Sequence, residues 1–311
     1  MEPAKVAYIF PGQGSQYVGM GRDLYDSSDS ARAVFGQADE ALGFSLSQLC
    51  FNGPDDELRQ TINAQPAIVT VSLALLSAIR DSDNNLPAPA FVAGHSLGEY
   101  TALAAAGVVD FATAIYLTRE RGRFMHHAGM ENPGGMAAVI GLDEAILADI
   151  CTRSDAKIAN FNCPGQLVIS GDKDSLDKAI ELAEAKGARR VVPLQVSGAF
   201  HTHYMQPAAD SLAEIIAAIP FATPQVPIIA NTTAGEITTA EMVKEELLSQ
   251  LCNSVQWQRS IEYMIYSGVS TFIEIGPGKV LSGLIKRIDR DAKTINICDV
   301  ESVTKLANVL D

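Results

Sequence analysis

The chain has 311 residues, of which 47% are hydrophobic and 19% charged, a composition that indicates a globular protein with a large core and argues against disorder. Its formal net charge of −14 argues against nucleic acid or an anionic membrane surface as the main partner. Five scattered cysteines without a CxxC spacing argue against a zinc site or a disulfide framework and indicate a reducing compartment. No signal-like N-terminus and no uncharged apolar run of about 18 residues is found, so we expect a soluble, cytoplasmic protein.

The first part of the chain contains two short apolar strands that each lead into a glycine-rich loop. They are predicted at residues 6–10 and 90–93. Residues 65–79 between them are apolar on nearly all sides and too long for a strand, so they predict a buried helix. Further helices are predicted at residues 100–106 and 111–127.

The next segment has a pattern of its own. Strands are predicted at residues 136–140, 157–161, 166–170 and 190–196, and helices at residues 143–151 and 176–183. The order β-α-β-β-α-β is that of a ferredoxin-like unit. We therefore predict a small ferredoxin-like subdomain at residues 132–201, inserted into a large subdomain formed by residues 1–131 and 202–311.

The last part of the chain again alternates strands with helices. A helix is predicted at residues 205–219, and strands at 226–230, 271–275 and 294–297. Such alternation implies a largely parallel sheet covered by helices on both faces. The predicted fold class is α/β, a hydrolase-like sheet flanked by helices with an inserted small α+β subdomain.

A nucleophile motif follows the second predicted strand. Gly94-His95-Ser96-Leu97-Gly98 matches GxSxG, which in a strand–turn–helix context forms a sharp turn that exposes the serine hydroxyl. A helix start with glycines for close packing is the alternative. A serine hydroxyl is a poor nucleophile unless a base lies within hydrogen-bond reach.

The base would be one of five histidines. They are His95, His126, His127, His201 and His203. From composition alone, each would more often be an ordinary surface or core residue. The last two lie in the loop that leaves the small subdomain, and clefts commonly form at such junctions.

Two other segments carry candidate binding groups. The loop at residues 10–16 follows the first strand, where hydrolase-like folds place a second oxyanion donor, so the N–H groups of Gln13 and Leu97 are candidates for an oxyanion hole. A phosphate loop is the alternative, but the G-K-[ST] ending is absent. Arg119, Arg121 and Arg123 alternate along one predicted helix; one could bind a carboxylate, whereas solvated arginines are the ordinary explanation for the other two.

Seven stretches, in order across nearly the whole chain, resemble malonyl-CoA:acyl-carrier-protein transacylases of fatty-acid synthesis and the acyltransferase domains of polyketide synthases. They are FPGQGSQ (10–16), GHSLGEY (94–100), the RG pair (121–122), ANFNCPGQLVISG (159–171), GAFH (198–201), VQW (255–257) and EIGPGKVL (274–281).

The resemblance implies roles for individual residues. Ser96 would attack the thioester carbonyl, and His201 would take and return the proton. The N–H groups of Gln13 and Leu97 would hold the oxyanion, and Arg121 would pair with the malonyl carboxylate. The implied mechanism is ping-pong, with a malonyl-Ser96 intermediate.

The resemblance also implies supporting roles around the substrate. The ring of Phe200 would exclude a 2-methyl branch, although the family more often has another residue where this chain has Gly198. Asn162 would lie near the pocket. The backbone carbonyl of Gln256 would orient His201 in place of a carboxylate.

The implied partners are malonyl-CoA as substrate and an acyl carrier protein that brings its own phosphopantetheine. No cofactor and no metal is expected, and we expect a monomer. Candidate docking sites for the acidic carrier are Arg189-Arg190, or Lys279 with Lys286-Arg287. Alternatives are a trans-acting polyketide synthase acyltransferase, a thioesterase or esterase, and a non-catalytic carrier-binding scaffold.

Overall fold

The computed structural model describes residues 5–82 and 86–306, in which ten strands form two separate sheets. The strands are β1 (Lys5–Phe10), β2 (Phe91–Gly94), β3 (Gly134–Ile140), β4 (Lys157–Cys163), β5 (Gln166–Asp172), β6 (Arg190–Pro193), β7 (Ile228–Ile229), β8 (Glu236–Ile237), β9 (Val269–Ile275) and β10 (Lys293–Ile297).

Fourteen α-helices and one 3₁₀ turn (His203–Met205) lie in the same part of the chain. The helices are α1 (Arg22–Ser27), α2 (Asp29–Leu42), α3 (Leu46–Asn52), α4 (Asp55–Arg59), α5 (Thr61–Asp81), α6 (Gly98–Ala105), α7 (Phe111–Glu131), α8 (Glu144–Ser154), α9 (Lys173–Ala185), α10 (Gln206–Ala218), α11 (Ala240–Cys252), α12 (Trp257–Tyr266), α13 (Val280–Ile288) and α14 (Val300–Thr304).

The larger sheet has the strand order β10-β9-β1-β2-β7-β8 and is parallel except for the short edge strand β8. This confirms the predicted α/β class with a largely parallel sheet. Since β1 and β2 are parallel neighbours in which Phe10 pairs with Gly94, the loops that follow them leave the same edge of the sheet. The candidate oxyanion loop and the GxSxG turn are therefore adjacent.

Helix α5 is the central helix of the large core. It is long and apolar enough to cross a membrane by length and composition, but 83% of its most apolar window is buried inside the protein. Its neighbours include α2 and α7, and its all-round apolar surface is explained by this burial. The buried helix predicted at residues 65–79 is thus present and extends further at both ends.

The smaller sheet is antiparallel, with the strand order β4-β5-β3-β6. Read with α8 and α9, this is the order of a ferredoxin-like unit, as predicted. Its own apolar core includes Val139, Ile150 and Ile169. The subdomain boundaries at residues 131/132 and 201/202 stay a prediction. Strand β6 ends at Pro193 rather than at residue 196, and the following residues contribute to the rim of a cavity.

Candidate active site

Ser96 lies on a sharp turn between β2 and α6, with a φ of +50°. The turn requires glycine on both sides. A Cβ on Gly94 would lie 1.9 Å from the carbonyl carbon of Gly98, and a Cβ on Gly98 would lie 2.2 Å from the Phe10 carbonyl oxygen. The two glycines therefore allow the turn to sit against β1, and the alternative of an ordinary helix start does not account for the strained serine.

His201 lies beside Ser96, whereas no hydrogen bond joins the other four histidines to Ser96. The distance from Ser96 Oγ to His201 Nε2 is 2.9 Å, and His201 Nδ1 lies 2.8 Å from the backbone oxygen of Gln250. A carbonyl oxygen only accepts hydrogen bonds, so Nδ1 carries the proton and the Nε2 lone pair faces the serine hydroxyl. This is the arrangement that a general base requires.

The environment of His201 keeps the imidazole neutral. Burial, followed by the positive charge of Arg121, lowers the pKa of His201 from 6.5 to about 3. The ring can therefore accept the serine proton throughout the neutral range.

The expectation that Gln256 orients His201 is wrong. The carbonyl of Gln256 begins helix α12, where it accepts the Ser260 N–H at 2.9 Å and the Ser260 hydroxyl at 3.1 Å. Gln250, by contrast, lies in the last turn of α11, where backbone carbonyls have no partner within their helix. Its carbonyl is thus free to accept from His201. The Gln256 side chain bonds Arg259 and does not line the cavity.

Arg121 is a buried guanidinium without an acidic partner. It is 1% exposed; Nη1 donates to Gln65 Oε1 (2.8 Å), and Nη2 donates to Gln250 Oε1 (2.7 Å) and Ser96 Oγ (3.1 Å). Its Nε has no hydrogen-bond partner, and no Asp or Glu of the described residues forms an ion pair with it. Burial lowers the pKa of Arg121, but a guanidinium stays charged at neutral pH. A buried, unpaired cation beside a nucleophile is suited to a substrate carboxylate.

The two neighbouring arginines of α7 point elsewhere. Arg119 donates to the Ile62 carbonyl and the Asn63 side chain, and Arg123 pairs with Glu120. Positions two apart on a helix lie on opposite sides, so only one of the three faces the cavity.

The N–H groups of Gln13 and Leu97 are both free. Neither donates a hydrogen bond to any of the described residues, and both residues line the same cavity as Ser96. Leu97 precedes the first turn of α6, where the helix dipole favours negative charge. The Gln13 side chain donates to Thr61 Oγ1 at 3.1 Å, which anchors its loop to α5. Two free backbone N–H groups on residues that line the cavity beside Ser96 are the donors that an oxyanion hole requires.

A cavity of about 300 Å³ contains these groups. Phe200 forms part of its wall. Gly198 packs beside it, and a Cβ there would lie 3.0 Å from Gly129 Cα and 3.3 Å from the Phe200 ring. The departure from the family pattern at Gly198 therefore coincides with close packing against α7.

Asn162 lies near the pocket, behind its wall. Its Oδ1 lies 2.8 Å from Nε2 of His95, which lines the cavity; Asn162 does not line it, whereas Asn160 does. Strand β4 has register shifts between Ile158 and Asn160 and between Phe161 and Cys163, which a simple alternation of faces does not predict. The ring of His95 also lies 5.5 Å from that of Trp257 in α12, so this histidine is held between Asn162 and Trp257 and forms no hydrogen bond with the serine hydroxyl.

Three residues of the site were missed by the sequence analysis. Asn231 Oδ1 accepts the Ser96 N–H (2.8 Å), and Gln250 Nε2 donates to the Ser96 carbonyl (3.0 Å). Both amides also donate to Glu99. Glu99 stands inside GHSLGEY, so its place in a motif was a usable signal; the two amides stand in no motif that we recognised.

The family model and the curated relatives that match this chain are all acyl transferases. A family model described as "Acyl transferase domain" matches residues 7–305. Curated relatives from Bacillus subtilis (46% identical, 96% of this chain and 95% of the relative) and Escherichia coli K12 (46%, 91% and 92%) are each named malonyl CoA-acyl carrier protein transacylase.

Solved structures agree with these relatives. An acyl carrier protein S-malonyltransferase from Vibrio cholerae is 41% identical with a TM-score of 0.93, covering 97% of this chain and 100% of that one. A malonyl-transacylase in complex with a type II polyketide synthase acyl-carrier protein is 38% identical with a TM-score of 0.94, covering 98% and 99%.

Proposed function

The chain belongs to the acyl transferase family of malonyl-CoA:acyl carrier protein transacylases, and from this we propose that it transfers malonyl from malonyl-CoA to the phosphopantetheine thiol of an acyl carrier protein through a malonyl-Ser96 intermediate. The observation that carries the proposal is the buried Arg121 guanidinium 3.1 Å from the Ser96 hydroxyl, which itself lies 2.9 Å from His201. A site that hydrolyses generic esters does not need a buried cation at the nucleophile, whereas a site for a carboxylated acyl group needs one to bind the carboxylate.

The first half-reaction acylates the enzyme. His201 Nε2 accepts the Ser96 proton as Oγ attacks the thioester carbonyl, and the oxyanion receives hydrogen bonds from the N–H groups of Gln13 and Leu97. Each such donor contributes roughly 3 kcal/mol of transition-state stabilisation. The intermediate then collapses, the C–S bond breaks, and the CoA thiolate takes the proton from the imidazolium.

The second half-reaction reverses these roles. His201 accepts the proton of the phosphopantetheine thiol, the thiolate attacks the malonyl-Ser96 ester, and the proton returns to Ser96 as the C–O bond breaks. Throughout, Arg121 holds the malonyl carboxylate, which ties the binding energy of the acyl group to one orientation of its carbonyl.

The exposed side of α13 suits the acidic carrier. Lys279 directly precedes α13, and Lys286 and Arg287 lie in its last turn; all three are exposed, and none of them forms an ion pair with another described residue. A Cβ placed on Gly278, next to Lys279, would lie 3.7 Å from Ser15 of the loop that carries Gln13. The Lys279 end of α13 is therefore close to the loop that lines the cavity. Arg189-Arg190, at the start of β6, is the second candidate.

Fatty-acid synthesis in the cytoplasm is the context that we propose. The proposal is supported by the Bacillus subtilis and Escherichia coli relatives, which are both named malonyl CoA-acyl carrier protein transacylase, and by five cysteines that are all unpaired.

Intact-protein mass spectrometry tests the proposal. The protein is incubated separately with malonyl-CoA, acetyl-CoA and methylmalonyl-CoA. We expect a malonyl adduct that is absent from Ser96→Ala, and little methylmalonyl adduct because Phe200 narrows the cavity. An adduct that persists in Ser96→Ala would overturn the assignment of the nucleophile.

A further inference from the structure

A buried carboxyl group lies behind the nucleophile. Glu99, in the first turn of α6, is fully buried and forms no ion pair with any described residue. Three N–H groups donate to it: the backbone (2.9 Å) and side-chain (2.7 Å) nitrogens of Asn231 to Oε1, and Gln250 Nε2 (2.5 Å) to Oε2. Burial and the nearby Glu246 raise the pKa of Glu99, and these donors oppose that rise. All its hydrogen-bond partners are donors, so the ionised form satisfies them best.

The carboxylate determines which way two amides point. A side-chain amide has an acceptor at one end and a donor at the other, and it presents the donor end to a carboxylate. The opposite ends of both amides therefore face the catalytic groups. Asn231 Oδ1 accepts the Ser96 N–H, and Gln250 Oε1 accepts Arg121 Nη2.

Gln250 is the more consequential of the two. Its Oε1 bonds Arg121 (2.7 Å), its Nε2 bonds the Ser96 carbonyl (3.0 Å), and its backbone oxygen bonds His201 (2.8 Å). One residue thus contacts the proposed carboxylate-binding cation, the nucleophile and the base. If its amide were reversed, an NH₂ group would face the guanidinium, donor against donor.

We propose that Glu99 is a positioning residue for malonyl transfer: by fixing the amide of Gln250, it holds Arg121 where the malonyl carboxylate binds. The inference rests on the proposed function. It predicts that Glu99 acts selectively on substrates that carry a carboxylate, because an acetyl group makes no use of Arg121.

Glu99→Gln tests this with an almost unchanged shape. The oxygen of the new amide faces Asn231, so its NH₂ group faces Gln250. The Gln250 amide must then reverse to accept a hydrogen bond from this NH₂ group, and Arg121 loses the acceptor that Gln250 Oε1 provided. We expect the ratio of kcat/KM for acylation by malonyl-CoA to that by acetyl-CoA to fall about 10- to 100-fold, the effect of one charge-assisted hydrogen bond.

Glu274→Gln is the matched control. Glu274 is another fully buried acid, but it accepts hydrogen bonds from the N–H groups of Leu281 and Ser282 and from the Ser282 hydroxyl, and it contacts no side chain of the catalytic centre. Its substitution should keep the malonyl/acetyl ratio within about twofold of wild type, even if thermal stability falls as much as in Glu99→Gln.

A double-mutant cycle with Gln250→Met locates the route. The methionine removes the amide but keeps the backbone carbonyl that bonds His201. If Glu99 acts through Gln250, the malonyl/acetyl ratio of kcat/KM falls no further in the double variant than in either single variant. Additive decreases would refute the action of Glu99 through Gln250. Should Glu99→Gln fail to fold, a preserved ratio in Gln250→Met alone overturns it.

The outcomes separate this inference from the proposed function. Wild-type protein that forms no malonyl-Ser96 adduct refutes the function itself. Wild-type protein that forms the adduct, together with a Glu99→Gln variant in which both substrates are affected equally, leaves the function intact and refutes the positioning role.

Discussion

Arg121→Met is the substitution that bears most directly on why this site would select a carboxylated acyl group. Methionine occupies much of the volume of the fully buried side chain, so the cavity wall is largely retained while the charge is removed. The predicted result is a selective loss of malonyl-CoA as a substrate.

The magnitude follows from the contacts of the guanidinium. Two charge-assisted hydrogen bonds to a carboxylate contribute about 1.5–3 kcal/mol each. One of them replaces an existing contact, from Nη2 to Ser96 Oγ, so the net loss is closer to 3 kcal/mol than to 6. At 1.36 kcal/mol per factor of ten, kcat/KM for malonyl-CoA should fall roughly 100-fold or more.

Acylation rates measured with malonyl-CoA and acetyl-CoA give the test. Loss of the Arg121 charge also removes one of the causes that lower the pKa of His201, but this affects both substrates and cancels in their ratio. Arg123→Met is the control, because Arg123 lies on the same helix and pairs with Glu120. An equal fall for both substrates in Arg121→Met would refute the carboxylate-binding role.

Three further predictions concern the base, the turn and the docking face. Because burial lowers the pKa of His201 to about 3, the neutral base persists on acidification, and acylation kcat/KM should stay level through pH 6.5; a fall centred near 6.5 would contradict this. In the unfolded chain, however, the imidazole of His201 becomes protonated near pH 6.5, so the unfolding free energy should decrease as the pH falls below 6.5. Thermal melts at pH 7 and pH 5 measure this decrease, which should be smaller in His201→Gln. Gly98→Ala, whose Cβ would lie 2.2 Å from the Phe10 carbonyl, should destabilise the protein in urea by roughly 3 kcal/mol, whereas Gly36→Ala, at an open position on α2, should be neutral or stabilising by about 0.5–1 kcal/mol; similar midpoints would refute the close-approach argument. The double variant Lys286→Glu, Arg287→Glu should have a KM for the carrier about tenfold higher, with acylation by malonyl-CoA unchanged. If the double variant Arg189→Glu, Arg190→Glu raises this KM instead, the carrier docks at β6.

Local patterns in the sequence predicted the framework of the site. The strand before GxSxG, the glycines around Ser96 and the apolar helix α5 depend on neighbouring residues and on burial, both of which are visible in a single sequence. No element is predicted for residues 22–59, where the structure forms four short or amphipathic helices. Their polar faces give a weaker signal than the uniformly apolar α5.

Long-range contacts explain what the sequence did not predict. The amides of Asn231 and Gln250 meet Glu99 across 132 and 151 residues, and neither stands in a recognised motif. The error at Gln256 has the same origin, because choosing the carbonyl that meets His201 requires knowing where α11 ends and α12 begins. Gln250 and Gln256 both lie in or near the VQW motif in sequence, and this alone does not show which of their backbone carbonyls is free to accept a hydrogen bond.

The central claim is that Ser96 passes malonyl to a thiol and not to water. The malonyl-enzyme is isolated and then mixed either with buffer or with a phosphopantetheinylated acyl carrier protein, and both proteins are weighed over time. We predict that the malonyl mass leaves the enzyme rapidly only when the carrier is present and appears on the carrier. Loss at the same rate in buffer, with free malonate as the product, would contradict the account and indicate a thioesterase.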